Sequence, residues 1–162
     1  MIFTFKPMTP LHAEIISTWK YQEPYNFYDF ETDAEIIDEL LNGDYFCAFN
    51  DVEILIGYFC FGNSARVPGG YAAGIYEKED MLDIGLGLEP SKTGKGLGRV
   101  FVKEGIDYLK QQLDIRKFRL VVASFNQRAI KVYVENGFVQ KGKFLSKVNG
   151  TDIEFTCMIK AN

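Results

Sequence analysis

Residues 81–108 read MLDIGLGLEPSKTGKGLGRVFVKEGIDY, and no other stretch constrains the fold as tightly. A short apolar run ends at Pro90, a loop of alternating glycines follows, and a helical pattern begins after it. A strand that runs into such a loop leaves backbone N–H groups and a helix N-terminus at its carboxyl end, which suits an anion. The loop Thr93-Gly94-Lys95-Gly96-Leu97-Gly98-Arg99 is not a Walker loop, because Gly96 follows Lys95 where Ser or Thr is required. It is not the dinucleotide fingerprint either, because counting from Gly94 the third glycine would fall at Arg99. Taken alone, the stretch reads equally well as a glycine-rich turn that opens a helix.

The chain around it alternates strands and helices. Residues 2–6 alternate apolar and polar positions and predict a first strand. Thr9 and Pro10 are suited to the N-cap and first residue of a helix reaching Trp19, with Leu11, Ile15, Ile16 and Trp19 on its inner face. His12, the single histidine, lies off that stripe and receives no catalytic role. Half of residues 19–30 are aromatic, with Glu23, Asp29 and Glu31 among or beside them. Rings and carboxylates together suit a cationic amine; a loop pinned to the core by its rings is the alternative. Thr32 is expected to cap a helix over residues 33–42, with Ile36, Ile37, Leu40 and Leu41 inward and Gly43 as its stop.

Strands are predicted at 45–50 and 53–61, the second apolar on both faces and therefore central. Residues 62–70 read as loop with a type II turn at Pro68-Gly69, and residues 71–80 as a strand extension or an irregular loop. Residues 81–88 form a strand carrying Ile84, Leu86 and Leu88 on one face and Gly85 and Gly87 on the other. A helix over residues 96–112, with Val100, Phe101, Ile106, Leu109 and Leu113 in its stripe, leads to a strand at 118–124. Strand, helix and strand at this spacing form a right-handed crossover, so these two strands run parallel and a ligand site lies beyond their carboxyl ends. Asn126 caps a helix over 127–136 that Gly137 ends, Phe138 begins a strand, and Asn149-Gly150 turns it into a last strand with one buried face.

Composition limits the ligand. The chain has 162 residues, one domain's length, with 47% apolar and 25% charged residues and a formal net charge of −4. A broad basic surface for nucleic acid is excluded as an expectation, while Lys92, Lys95 and Arg99 supply a local basic loop. Cys47, Cys60 and Cys157 stand far apart in apolar stretches, without metal-ligand spacing or a disulfide framework. No signal peptide or membrane span is evident, so a cytoplasmic protein is expected.

A second motif reinforces the first. Residues 126–138 read Asn-Gln-Arg-Ala-Ile-Lys-Val-Tyr-Val-Glu-Asn-Gly-Phe. They resemble motif B of the GCN5-related N-acetyltransferase (GNAT) family, Asn-x-x-Ala-x-x-x-Tyr-x-x-x-Gly-Phe, at every specified position. The earlier loop resembles that family's motif A, Gln/Arg-x-x-Gly-x-Gly/Ala, through Gly96 and Gly98, with Thr93 departing from Gln/Arg. Two motifs in order, one helix and one strand apart, are more specific than either alone.

The resemblance implies an α/β fold with a mixed, mostly antiparallel sheet of six to seven strands, about four flanking helices and one parallel strand pair at the cofactor site. It implies N-acetyl transfer from acetyl-CoA, directly and without metal, to a primary amine of a small molecule or of a peptide. A non-catalytic acyl-CoA-binding module of the same fold is the alternative. By position, Thr93, Gly94, Lys95, Gly96, Leu97, Gly98 and Arg99 would wrap the pyrophosphate. Leu86, Gly87 and Leu88 would bond the pantetheine arm, the Leu86 N–H would polarise the acetyl carbonyl, Asn126 would contact the cofactor, and Tyr133 would protonate the departing thiolate. An alkyl amine, pKa near ~10.4, is neutral in only about one molecule in a thousand at neutral pH. Asp83 is the best-placed candidate base, with a strand-end ion pair as its alternative reading, and Glu23 is second. Glu23, Tyr25 and Tyr28 are the candidate acceptor-binding residues. A membrane or nucleic-acid partner is not expected, and the oligomeric state, a homodimer included, stays open.

Overall fold

The computed structural model describes residues 1–31 and 33–161. Seven strands form one sheet: β1 (Thr4–Pro7), β2 (Tyr45–Phe49), β3 (Leu55–Phe61), β4 (Leu82–Leu88), β5 (Lys117–Ala123), β6 (Val139–Val148) and β7 (Thr151–Ala161). Their order is β1-β2-β3-β4-β5-β7-β6. Every neighbouring pair is antiparallel except β4 and β5, which run parallel. Among the described residues, no helix is long and apolar enough to cross a membrane.

Alternation along each strand separates two apolar faces. Phe46 and Ala48 of β2, Phe118, Leu120 and Val122 of β5 and Met158 of β7 enter the main core. That core is closed by α4 (Gly98–Leu113) and α5 (Gln127–Glu135). On the opposite face, α1 (Pro10–Ser17) and α2 (Ala34–Leu40) cover Tyr45, Cys47, Phe49 and Cys60. A separate cluster on that face joins Ala123, Phe144, Phe155 and Cys157. The last strand is thus buried on both faces from Phe155 to Met158. A single buried face was expected, but β7 lies between β5 and β6 and is packed from both sides.

Local chemistry explains the boundaries. Thr9 caps α1 by accepting from the His12 N–H, with Pro10 at the first helical position. The buried face of α1 is Ala13, Ile16 and Ser17, whereas Leu11 and Ile15, expected inward, are exposed. The small Ala13 lets the helix approach the sheet through that stripe. For α2 the cap is Asp33, which accepts from the Ile36 N–H; the expected cap, Thr32, lies outside the described residues. The first strand starts at Thr4 because the N–H groups of Ile2 and Phe3 donate to the buried Glu104 carboxylate of α4. The third starts at Leu55, since the Asn50 side chain accepts from Val52 and Ile54 N–H and holds the preceding turn. Asn149 and Gly150 both take positive φ in the β6–β7 hairpin.

A fifth helix, α3 (Pro68–Ala72), replaces the expected turn. Pro68 begins it, and Gly69 lets it lie against Leu145 O and Ser146 of β6, with the Gly69 N–H donating to Ser146 Oγ. In α4, Phe101, Val102, Ile106 and Leu109 are buried, but Val100 and Leu113 are on the outside. Gly105 is buried in the same helix, and a Cβ there would collide with the Phe59 ring.

Gly105→Ala should therefore destabilise the protein by about 1–3 kcal/mol, because the fully buried Phe59 ring has to shift. Urea unfolding followed by circular dichroism measures it; an unchanged midpoint would mean that this contact relaxes freely.

Candidate functional site

The parallel pair is the point where the sheet opens. The fourth strand is paired with β3 from Ile84 to Leu88, but with β5 only at Leu82↔Phe118 and Asp83↔Arg119. Meanwhile β5 is held by β7 along its whole length. Beyond the two shared positions each strand follows its other neighbour, and a cleft of about 810 Å³ lies between them. Ile84 to Leu88 line one wall and Leu120 to Val122 the other.

The pairing register fixes which backbone groups face this cleft. Glu89 N–H donates to Ile56 O at 2.9 Å, just beyond the pair Gly57↔Leu88. Hydrogen-bonded pairs alternate along an antiparallel ladder, so Gly85 and Gly87 turn their backbone polar groups toward β3. Leu86 and Leu88 turn theirs to the open edge. Tyr21 Oη donates to Leu88 O at 2.7 Å from that side. Gly85 and Gly87 provide clearance for side chains of β3: a Cβ on Gly87 would stand 2.5 Å from the Tyr58 ring, and one on Gly85 would stand 2.9 Å from Cys60 Sγ.

At the carboxyl end of β4 the chain makes one tight turn over Pro90–Lys92 and enters the glycine loop. Gly94 and Gly96 have φ of +70° and +80°, which side-chain-bearing residues rarely adopt. Leu97, the residue before α4, supplies no side-chain cap, so the first N–H groups of the helix have no capping side chain. Thr93, Gly94, Gly96, Gly98 and Arg99 line the cleft. Lys95 is exposed, and neither it nor Leu97 is in the lining. The Thr93 hydroxyl donates back to Pro90 O at 2.8 Å.

Helix α5 brings the second motif to the opposite wall. Asn126 Oδ1 accepts from the Ala129 N–H at 3.1 Å, while its Nδ2 donates to Tyr28 Oη at 3.3 Å. Tyr133 is buried and lines the cleft. Burial, then the neighbouring Tyr28, pushes its hydroxyl well above the usual range, so it stays protonated at neutral pH. Sequence reasoning missed Arg128 and Lys131, which also line the cleft. Both fall at variable positions of the motif, which assigns them no role; their i, i+3 spacing on one helix face was the available signal. The Arg128 guanidinium lies 4.5 Å from the Tyr25 ring centre and next to Gly94.

Three expectations for the acceptor side change. Glu23 is exposed and outside the lining. Tyr25 lines the cleft, but beside Arg128 at the glycine loop. Asp83 is buried and absent from the lining: Arg119 Nε and Nη2 bond its two oxygens at 2.6 and 2.9 Å, and Arg66 Nε bonds Oδ2 at 2.9 Å. Both oxygens are engaged by guanidinium donors and neither belongs to the lining of the cleft. This geometry is that of the ion-pair reading of Asp83. Hydrogen bonding to Asp83 in turn pushes the Arg119 guanidinium further up. Tyr28 does line the cleft, joined by Tyr21, Phe30, Tyr45 and Tyr58.

Known proteins resemble this chain in sequence and fold. The family described as Acetyltransferase (GNAT) family matches residues 11–138. A spermidine N(1)-acetyltransferase of Vibrio cholerae is 34% identical over 65 residues, which are 39% of this chain and 38% of that relative. A spermidine N-acetyltransferase from Vibrio cholerae, solved in complex with CoA and spermine, superposes with a TM-score of 0.75 at 20% identity, covering 98% of this chain and 95% of the other. A GNAT-family acetyltransferase from Bacillus anthracis superposes with a TM-score of 0.76 at 12% identity, covering 99% and 95%.

Replacing Arg119 by Met leaves the Asp83 charge buried with Arg66 alone, and should destabilise the fold by about 3–5 kcal/mol. Chemical denaturation checks it; a loss under about 1 kcal/mol would show that the fork does not depend on this pair.

Proposed function

Because the chain belongs to the acetyltransferase (GNAT) family, we propose that it transfers an acetyl group from acetyl-CoA to a primary amine of a small molecule within one ternary complex. The observation that carries this reading is the open edge of β4. There the Leu86 N–H faces a cleft that runs from the glycine loop at one end to an aromatic chamber at the other.

The residues present fit acetyl-CoA. The backbone of Gly94, Gly96 and Gly98 and the side chains of Arg99, Arg128 and Lys131 make an anion-binding end suited to a pyrophosphate. Leu86 and Leu88 offer the pantetheine arm a strand edge, though the Leu88 carbonyl is already bonded by Tyr21. Acetyl-CoA supplies an activated acyl group on sulfur. The Leu86 N–H points into the cleft, where negative charge on the acyl oxygen would be stabilised. Tyr133 holds a proton at Oη and presents it to the departing sulfur. Burial among rings disfavours a charged ammonium and helps to release the amine's proton without a dedicated carboxylate. Residues from both 19–30 and 62–80 line the acceptor end, which supports a small-molecule acceptor over a long peptide.

Purified protein should release free thiol from acetyl-CoA when given an amine it accepts. Tyr133→Phe should lower kcat by about 100-fold or more while leaving the acetyl-CoA Kd within about threefold, as the ring keeps its packing on Phe138. Equal single-turnover rates for mutant and wild type would remove Tyr133 from this role. Arg128→Ala should weaken acetyl-CoA binding by about tenfold or more through loss of a charge-assisted contact, read by calorimetric titration; unchanged affinity would exclude Arg128 from the anion end.

A further inference from the structure

The acceptor end of the cleft has an unusual charge pattern. Its walls are Tyr21, Phe30, Tyr45, Tyr58 and the segment Ser64 to Val67. Among the described lining residues of the whole cleft the one carboxylate is Glu135. It stands on the last turn of α5, where it also lines the outer groove with Arg99, Lys103 and Lys160. Outside the lining, Asp29 accepts from the Tyr21 N–H, Glu89 accepts from the Ser91 hydroxyl, Asp44 accepts from the Ser64 hydroxyl and Glu39 stands beside Tyr45. The tyrosines supply no negative charge, because burial raises the hydroxyls of Tyr21, Tyr45 and Tyr58 and keeps them neutral.

The charged side chain at this end is Arg66. Asp83 neutralises only part of its charge, since the same carboxylate already holds Arg119 through two bonds. Within this cluster, two guanidinium groups against one carboxylate leave one net positive charge. Arg66 is also held in place. Its guanidinium lies 4.7 Å from the Tyr76 ring centre and 5.7 Å from that of Tyr71. Arg119 Nη1 donates to Ile75 O at 2.6 Å and Lys78 O at 3.1 Å, fixing the segment that carries these rings. A planar guanidinium oriented in this way is suited to a carboxylate, and one surplus charge matches a monoanion. A polyamine would bring two or more ammonium groups against that guanidinium, at an end whose lining holds no carboxylate among the described residues.

Resting on the acetyl-transfer reading above, we propose that the acceptor is a compact amine bearing a carboxylate, an amino-acid-like molecule whose acid group docks on Arg66. In the transfer, the neutral amine nitrogen forms the new N–C bond, the C–S bond breaks, Tyr133 protonates the departing sulfur, and the proton lost from nitrogen replaces the one Tyr133 gives up.

The test uses matched pairs: L-phenylalanine with phenethylamine, L-tyrosine with tyramine, L-lysine with cadaverine, and spermidine as the polyamine. The wild type should favour the carboxylate-bearing member of at least one pair by about tenfold or more in kcat/KM. Arg66→Gln should bring that ratio close to one, chiefly by raising KM for the carboxylate-bearing member. Arg66→Lys keeps a cation beside Asp83, so it should fold normally and retain part of the preference. Calorimetric titration of the favoured pair into the enzyme saturated with CoA should show the same preference without turnover. Acetylation of the decarboxylated amines or spermidine as good as or better than that of every amino acid would overturn the acceptor assignment and leave acetyl transfer intact. So would a preference that Arg66→Gln does not change. Acetyl-CoA that binds but yields no acetylated amine, with no preference in the titration, would overturn both readings.

Discussion

Asp83 and Arg119 face each other at the last position where β4 and β5 are paired, and the site depends on that contact. Below it the two strands are one sheet; above it they are walls. Burying an Arg–Asp pair costs several kcal/mol of desolvation, which only good geometry offsets. Here both carboxylate oxygens are bonded, and the remaining guanidinium donors reach the Ile75 and Lys78 carbonyls. The pair therefore closes the base of the cleft and ties down the segment 66–80 that forms part of its wall. A hydrophobic pair could fill the same volume, but it would neither hold those carbonyls nor bond Arg66 Nε.

Packing around the fork follows from where side chains are absent. Gly105 admits the Phe59 ring and Gly87 the Tyr58 ring, so the same strand, β3, drives rings into both faces of the sheet. One ring belongs to the main core and the other to the cleft. Tyr58 in turn packs with Trp19, Phe30 and Tyr45, which anchors the aromatic loop over the acceptor end. Tyr21, Tyr25, Phe27, Tyr28 and Phe30, rings that the sequence offered as either a cation cage or a packing device, line the cleft.

Much of the architecture was legible because it is encoded locally. The glycine loop, the Thr9 and Asn126 caps and the Asn149-Gly150 turn are matters of dihedral preference and short-range hydrogen bonds. What was misread involved partners far away in the chain. Gly69 looked like a turn residue, but its missing side chain serves contact with β6. The inner face of α1 was placed on Leu11 and Ile15, because amphipathic spacing says which residues share a face and not which face meets the sheet. Arg128 and Lys131 were invisible to a motif that leaves their positions open.

By itself the sequence determined the order of the strands and of the helices other than α3, the crossover between the two parallel strands and the family to which the chain belongs, since periodicity and two local motifs carry that information. Only the tertiary structure decided what Asp83 is for. A strand carboxylate beside two glycines reads equally well as a base or as half of an ion pair until Arg119 and Arg66, 36 and 17 residues away, are seen to occupy its oxygens. The charge of the acceptor chamber is likewise a sum over residues that the fold brings together, and no local pattern encodes such a sum.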